Sequence, residues 1–318
     1  MIITVTLNPA VDKIYWVDEL KVGEVTQEEF LTRASASDTS AGGKGVNISV
    51  LLARLGVENV AMGFVGGDTG HIVVRDLRDE GVTTNFVWVN GETRINVTVL
   101  EKGREHIPML IDEAGPSITP PETARFLRRF KRMLHRASWV VLAGSVPPGV
   151  DPDLCRTLAQ LAKDAGAKVV VTASGCALSS ALAAAPYLVK PDTRERLAID
   201  DVALVTPEQI ISAGRQVLDS GVEIVIVSHE VTGDIAITRD GTWEISAAVR
   251  TTQLKNLLGA DDVFLGGIVH KLDRGEPLEE ALRFGMAAGI VSAESREKIV
   301  VNAEQIAAQM EHITIRRI

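Results

Sequence analysis

Cysteine is nearly absent: the 318 residues hold two, Cys155 and Cys176. No C-x-x-C pair and no ladder of cysteines exists, which excludes a disulfide framework and a cysteine-built zinc site. Both cysteines sit in patterns that read as buried helix or loop positions. The six histidines form no H-E-x-x-H, and no G-x-S-x-G occurs, so the metalloprotease and serine-hydrolase motifs are missing. No run reaches the roughly 18 apolar residues of a membrane span. The opening MIITVTLNPAVDK has no basic segment ahead of a long apolar stretch, so no secretory leader is expected and the expected location is cytoplasmic. An excess of basic charge is also lacking: 33 Lys and Arg stand against 42 Asp and Glu, a net charge of −9. That argues against a broad nucleic-acid face but allows a local basic pocket. Neither nucleic acid nor a membrane is an expected partner.

What is present is ordinary for an enzyme core, at 46% hydrophobic and 24% charged residues. Short β-branched runs recur at Ile2–Leu7, Val60–Val65, Trp139–Ala143, Lys168–Thr172, Tyr187–Val189 and Glu223–Ser228. They are continuous rather than alternating, as strands covered on both faces are. Between them lie helical patterns. Lys44–Leu55 spaces Ile48, Leu51, Leu52 and Leu55 by three and four, and Asp153–Ala165 does the same with Leu154, Leu158 and Leu161. Strand and helix alternate, so the expected class is α/β, doubly wound. Two stretches break the rhythm. Lys13–Asp38 and Phe86–Leu110 alternate, the second around a hairpin-like Asn90-Gly91. They read as a small β lid at 13–38 and 86–110, outside a core of 1–12, 39–85 and 111–318.

Five segments carry residue types that chemistry could use. Thr6-Leu7-Asn8-Pro9-Ala10-Val11-Asp12 puts a carboxylate at a strand's carboxyl end, where α/β ligands sit; Asp12 suits sugar hydroxyls, or equally a turn cap. Ala41-Gly42-Gly43-Lys44-Gly45-Val46-Asn47 runs directly into a helix. Its glycines allow close approach, the helix start favours an anion, Lys44 can pair with phosphate and Asn47 can bond hydroxyls. It is no P-loop, because Gly45 follows the lysine; alone it reads as readily as a glycine turn with a solvated lysine. Thr93-Arg94-Ile95-Asn96 offers the planar fork of Arg94. Gly144-Ser145-Val146-Pro147-Pro148-Gly149 follows a buried strand and alone is a strand-ending turn. Gly259-Ala260-Asp261-Asp262 opens a helix, where amides can hold a phosphoryl group and a carboxylate can take a proton, although Asp there is also an ordinary cap.

In this order the five segments resemble the phosphofructokinase-B branch of the ribokinase family, over essentially the whole chain. The nearest likeness is to 1-phosphofructokinases and tagatose-6-phosphate kinases, with Glu113–Pro116 leaning to the latter. The resemblance implies a Rossmann-like sheet with helices on both faces, a β lid that builds a homodimer, and Mg²⁺-ATP as donor. It implies that Asp12, Gly43, Lys44, Asn47, Arg94 and Ser145 hold a sugar phosphate. It makes Asp262 the base and Gly259, Ala260 and Asp261 the anion hole. Lys190, Asp192, Ser228, Glu230 and Gly233 would then serve the nucleotide, with no dedicated metal cage. Trp16 and Trp88, read as exposed on the lid, would suit a lid-to-lid dimer.

The departures from the family pattern fall on one half. G-A-G-D reads Gly259-Ala260-Asp261-Asp262, K-P-N reads Lys190-Pro191-Asp192, and V-x-L-G-x-x-G reads Val227 to Gly233 with Glu230 for a glycine. Thr172 replaces an aspartate, and Asn256-Leu257-Leu258 replaces S-T-V. Asp192, Glu230 and Asp261 thus add three carboxylates where an anionic donor would bind. Two like charges about 4 Å apart cost about 4 kcal/mol at an effective dielectric near 20. A left-handed backbone at a non-glycine residue would add roughly 1–2 kcal/mol. Two readings follow: an active sugar-phosphate kinase, or a sugar-phosphate-binding homologue with a degenerate ATP site.

Overall fold

The computed structural model describes residues 1–21, 23, 31–192, 206–230 and 232–318, without the side chain of Glu230. Among the described residues, eleven strands form one sheet. Its parallel part runs in the order β5 (Thr83–Thr84), β4 (Asn59–Val65), β1 (Ile2–Thr6), β9 (Trp139–Ala143), β10 (Lys168–Thr172), β11 (Leu188–Val189) and β12 (Ile224–Glu230). Antiparallel strands β13 (Gly233–Ile237), β14 (Thr242–Ala247) and β15 (Ile313–Arg317) complete one edge. At the other, β6 (Val87–Trp88) pairs with the end of β4. A separate sheet has the order β3 (Ala34–Gly42), β2 (Ala10–Val17), β7 (Arg94–Glu101), β8 (Met109–Asp112).

The continuous apolar runs have a simple cause. Ile3, Val5, Val140, Val169, Val171, Val225 and Val227 join one core with α3 (Pro120–Leu134), α4 (Asp153–Asp164), α5 (Gly175–Leu182) and α6 (Pro207–Asp219). Their strand neighbours Ile2, Val141, Val170, Ile224 and Ile226 join a second core. That one is covered by α1 (Lys44–Arg54), α2 (Gly67–Asp79), α7 (Ala260–Asp273), α8 (Leu278–Ala293) and α9 (Ala303–Met310). Both faces of the sheet are therefore dry, and each buried aliphatic side chain contributes about 1.5–3 kcal/mol. Helix starts are specified locally as well. Thr119 and Glu122 form a capping box ahead of α3, with Pro120 in the first turn, where its missing N–H costs nothing.

The small sheet differs in detail from the alternation that announced it. Its strands begin at Ala10 and end at Asp112, beyond the expected bounds; residues 22 and 24–30 of the expected lid lie outside those described. Val87–Trp88 belongs to the large sheet, so Trp88 is no lid residue; it is half-exposed with its ring 4.4 Å from that of His71 on α2. Asn90-Gly91 turns no hairpin. The next residues brace the start of α2 instead: Thr93 and Gly66 exchange hydrogen bonds of 2.9 and 3.0 Å, and the Glu92 carboxylate accepts from the amides of Asp68 and Thr69. Cys155 is buried as expected, whereas Cys176 is exposed.

Candidate active site

A parallel sheet delivers its loops to one end, and the loops after β1, β9, β10 and β11, with Ser228 of β12, converge on a cavity of about 570 Å³. Asp12, Gly43, Lys44, Asn47, Arg94 and Ser145 all line it, from four separate stretches of chain. So do Gly259, Ala260, Asp261 and Asp262, together with Asp192 and Ser228. The small sheet forms a wall, because alternate residues of β7 (Arg94, Asn96, Thr98 and Leu100) face the cavity. The wall grades from polar to apolar away from the core. The Arg94 guanidinium is braced by the carbonyls of Asn8 at 3.2 Å and Glu113 at 3.1 Å.

Two helices begin at the cavity, α1 behind Gly43 and α7 behind Gly259. Helix starts present amides without intrahelical acceptors and a partial positive charge, so both favour an anion. The α1–α7 pair sets the central carboxylate. Asn47 Nδ2 on α1 donates to Asp262 Oδ2 at 2.7 Å, and Asp262 is buried at 5% exposure. Lys44 Nζ stands 3.7 Å from Asp262 Oδ1 and 3.2 Å from Asp192 Oδ2. A carboxylate fixed in this way, beside a cation and at a helix start, can accept a proton from a bound hydroxyl.

The Asp261 carboxylate turns to a cation. Its Oδ1 accepts from Lys190 Nζ at 2.7 Å, and Lys190 is enclosed at 1% exposure. The same ammonium donates to Ser228 Oγ at 2.8 Å and lies 3.5 Å from Asp234 Oδ1, which accepts from the Ser228 hydroxyl at 3.0 Å. Partial burial opposes ionisation of Asp261, but Lys190, with Lys44 further off, outweighs it and holds the carboxyl below the usual range. For Asp234 burial prevails over Lys190 and pushes the carboxyl up to about 6. For Lys190 itself burial would favour the neutral amine; Asp261 and Asp234 reverse this and hold it protonated. The backbone cost expected at position 261 is absent too. The left-handed residue is Gly259, at φ 80°, while Asp261 lies within α7 and has no positive φ.

Not every expected residue reaches the cavity. Lys190 lies behind Asp261 and Ser228, and Gly233 is buried in β13, paired with Glu230 and Ser246. The side chain of Glu230 lies outside those described. Other residues came without a sequence signal strong enough to single them out. Asn8 donates to Ala114 O and Ser145 Oγ, Asn96 donates to Asp12 Oδ1 at 3.3 Å, and Lys298 Nζ meets Asp12 Oδ2 at 2.6 Å. Asp234 had a faint signal: a carboxylate inside the apolar strand Gly233–Ile237 needs a buried partner.

Comparison with known proteins points to one family. The profile of the pfkB family carbohydrate kinases matches residues 6–305. The chain is 37% identical over 297 residues to a 1-phosphofructokinase of Bacillus subtilis, covering 93% of this chain and 94% of that protein. It is 33% identical over 297 residues to a D-tagatose-1-phosphate kinase of Bacillus licheniformis, covering 93% of each. A solved structure described as a possible 1-phosphofructokinase from Thermotoga maritima superposes with a TM-score of 0.89 at 34% identity, covering 100% of this chain and 99% of that one.

Proposed function

The chain belongs to the pfkB family of carbohydrate kinases, and we propose that it transfers the γ-phosphate of ATP to a hydroxyl of a ketohexose phosphate, with Asp262 as base. The observation that carries this is the pairing at the start of α7. Asp262 faces the cavity in the grip of Asn47, while its neighbour Asp261 is bound to Lys190.

Asp12 and the Lys44–Asn47 helix start would hold the acceptor, with Arg94 and Ser145 at the rim toward its phosphate. Asp262 removes the proton as the hydroxyl oxygen attacks the γ-phosphorus and ADP departs. The amides opening α7 at Gly259, Ala260 and Asp261 face the charge that develops on the phosphoryl oxygens. Asp192, at the cavity wall, would help to hold Mg²⁺, which would neutralise charge on the donor. Asp192, Ser228 and the Lys190–Asp261 pair line or support the donor half, and Glu230 and Gly233, paired across β12 and β13, are part of the same proposal.

Both named relatives suggest a 1-phosphorylated ketohexose, which favours fructose 1-phosphate or tagatose 1-phosphate over tagatose 6-phosphate. A coupled ADP-release assay with these three sugars tests the reading. Turnover on at least one is expected; sugar-phosphate binding without turnover on any would instead support the degenerate-site alternative.

A homodimer through the small sheet belongs to the same proposal. Its edge strand β8 exposes Met109, Leu110 and Ile111, an apolar edge of the kind that pairs with another chain. Light scattering should report a dimer, and a monomer at assay concentration would contradict it.

A further inference from the structure

Asp12 is the carboxylate best placed for acceptor hydroxyls, and it is confined on several sides. Its Oδ2 meets Lys298 Nζ at 2.6 Å, and its Oδ1 accepts from Asn96 Nδ2 at 3.3 Å. Below it lies Gly42, where a β-carbon would come within 2.2 Å of the Asp12 carboxyl carbon. Lys298 donates also to Ala41 O at 2.8 Å, so the ammonium ties Asp12 to the strand that leads into α1. Both partners of the ion pair are buried, at 5% and 4% side-chain exposure. Two protons for two carboxylate oxygens leave further lone pairs on the side that lines the cavity.

Lys298 is itself held by an unusual turn. The next residue, Ile299, has φ 59°, a left-handed conformation that costs a β-branched side chain roughly 1–2 kcal/mol. Such a conformation persists only where its surroundings enforce it. Here the Ile299 carbonyl accepts from Arg54 on α1, and the Arg296 carbonyl accepts from Asn256 Nδ2 at 3.1 Å, just ahead of the Gly259 turn. The 296–299 turn is thus pinned to α1 and to the approach to α7 while its lysine reaches the acceptor half.

We propose that Lys298 is a positioning residue of the acceptor site: its ammonium fixes the Asp12 carboxylate in the rotamer that receives the sugar hydroxyls. The inference rests on the proposed kinase reading. A merely structural ion pair would, on removal, disturb the fold and both substrates alike. A positioning role would fall on the sugar alone, because Lys298 touches Asp12 and Ala41 and neither touches the donor half.

The test is steady-state kinetics of the unaltered protein, Lys298→Met and Lys298→Arg, with fructose 1-phosphate and tagatose 1-phosphate as acceptors. For Lys298→Met the KM for the sugar phosphate should rise about tenfold or more while the KM for ATP stays within about twofold. Lys298→Arg, which keeps the charge, should show the same selectivity with a smaller rise, and it decides the matter should Lys298→Met fail to fold. Unchanged sugar KM, or a parallel rise in both KM values, in the folded variant would overturn the role of Lys298 and leave the kinase reading standing. Absence of turnover by the unaltered protein on both sugars would overturn both.

Discussion

Lys190 and Lys298 are both enclosed, at 1% and 5% side-chain exposure, and each meets a carboxylate that lines the cavity. Their surroundings differ. Lys298 meets one carboxylate and a carbonyl, so its cluster is electrically balanced, and its partner Asp12 is buried. Lys190 meets two carboxylates, Asp261 and Asp234, and its cavity-side partner is 48% exposed. The proposed acceptor half therefore has a closed, balanced anchor, whereas the proposed donor half carries one carboxylate more than its lysine can neutralise. The aspartate that departs from the family pattern at 261 is compensated, with the surplus charge passed back to buried Asp234.

The largest effect should come from the residue between the two clusters. Asp262→Asn should lower kcat by about a thousandfold with both KM values little changed, as removal of a general base does. Turnover within a few-fold of the unaltered protein would remove Asp262 from the role of base.

Next comes the imbalance itself. Lys190→Met leaves two buried or half-buried carboxylates without their cation and should cost about 3–5 kcal/mol in denaturant unfolding. The loss should exceed that of Lys298→Met, which strands one; the reverse order would break the comparison.

A smaller effect is expected with pH. Folding raises the Asp234 carboxyl from 3.8 to about 6, so between those values the folded chain binds more protons than the unfolded one. The stabilisation is fully present below the unfolded value and is lost as pH rises to about 6. Unfolding at a series of pH values should show the unaltered protein losing about 2–3 kcal/mol across this window relative to Asp234→Asn. A difference that does not change with pH would show that Asp234 is not pushed up.

Much of this architecture was legible before any coordinates. Runs such as Val169–Val171 and Val225–Val227 are continuous because alternate residues feed two different cores, and that pattern identifies a covered parallel sheet. The five segments that carry Asp12, Lys44, Arg94, Ser145 and Asp262 do meet in one cavity. What stayed hidden depends on distant pairing. Nothing in Ser295–Val300 distinguishes Lys298 from a solvated lysine, because its partner lies 286 residues away. The direction of Asp261 is likewise decided by Lys190, 71 positions off, so local chemistry at the turn pointed to repulsion where the fold supplies attraction. The misplaced strand at Val87–Trp88 has the same origin: two residues of β pattern cannot say which sheet they extend, and Thr93 bonding to Gly66 decides it.

If Lys190 renders Asp261 harmless to phosphoryl transfer, ADP release from Mg²⁺-ATP and fructose 1-phosphate or tagatose 1-phosphate, measured for the unaltered protein beside Asp261→Gly, should reveal it. The prediction is that the unaltered protein turns over and that Asp261→Gly stays within about tenfold of it. A silent unaltered protein whose Asp261→Gly variant gains activity by orders of magnitude would contradict the claim.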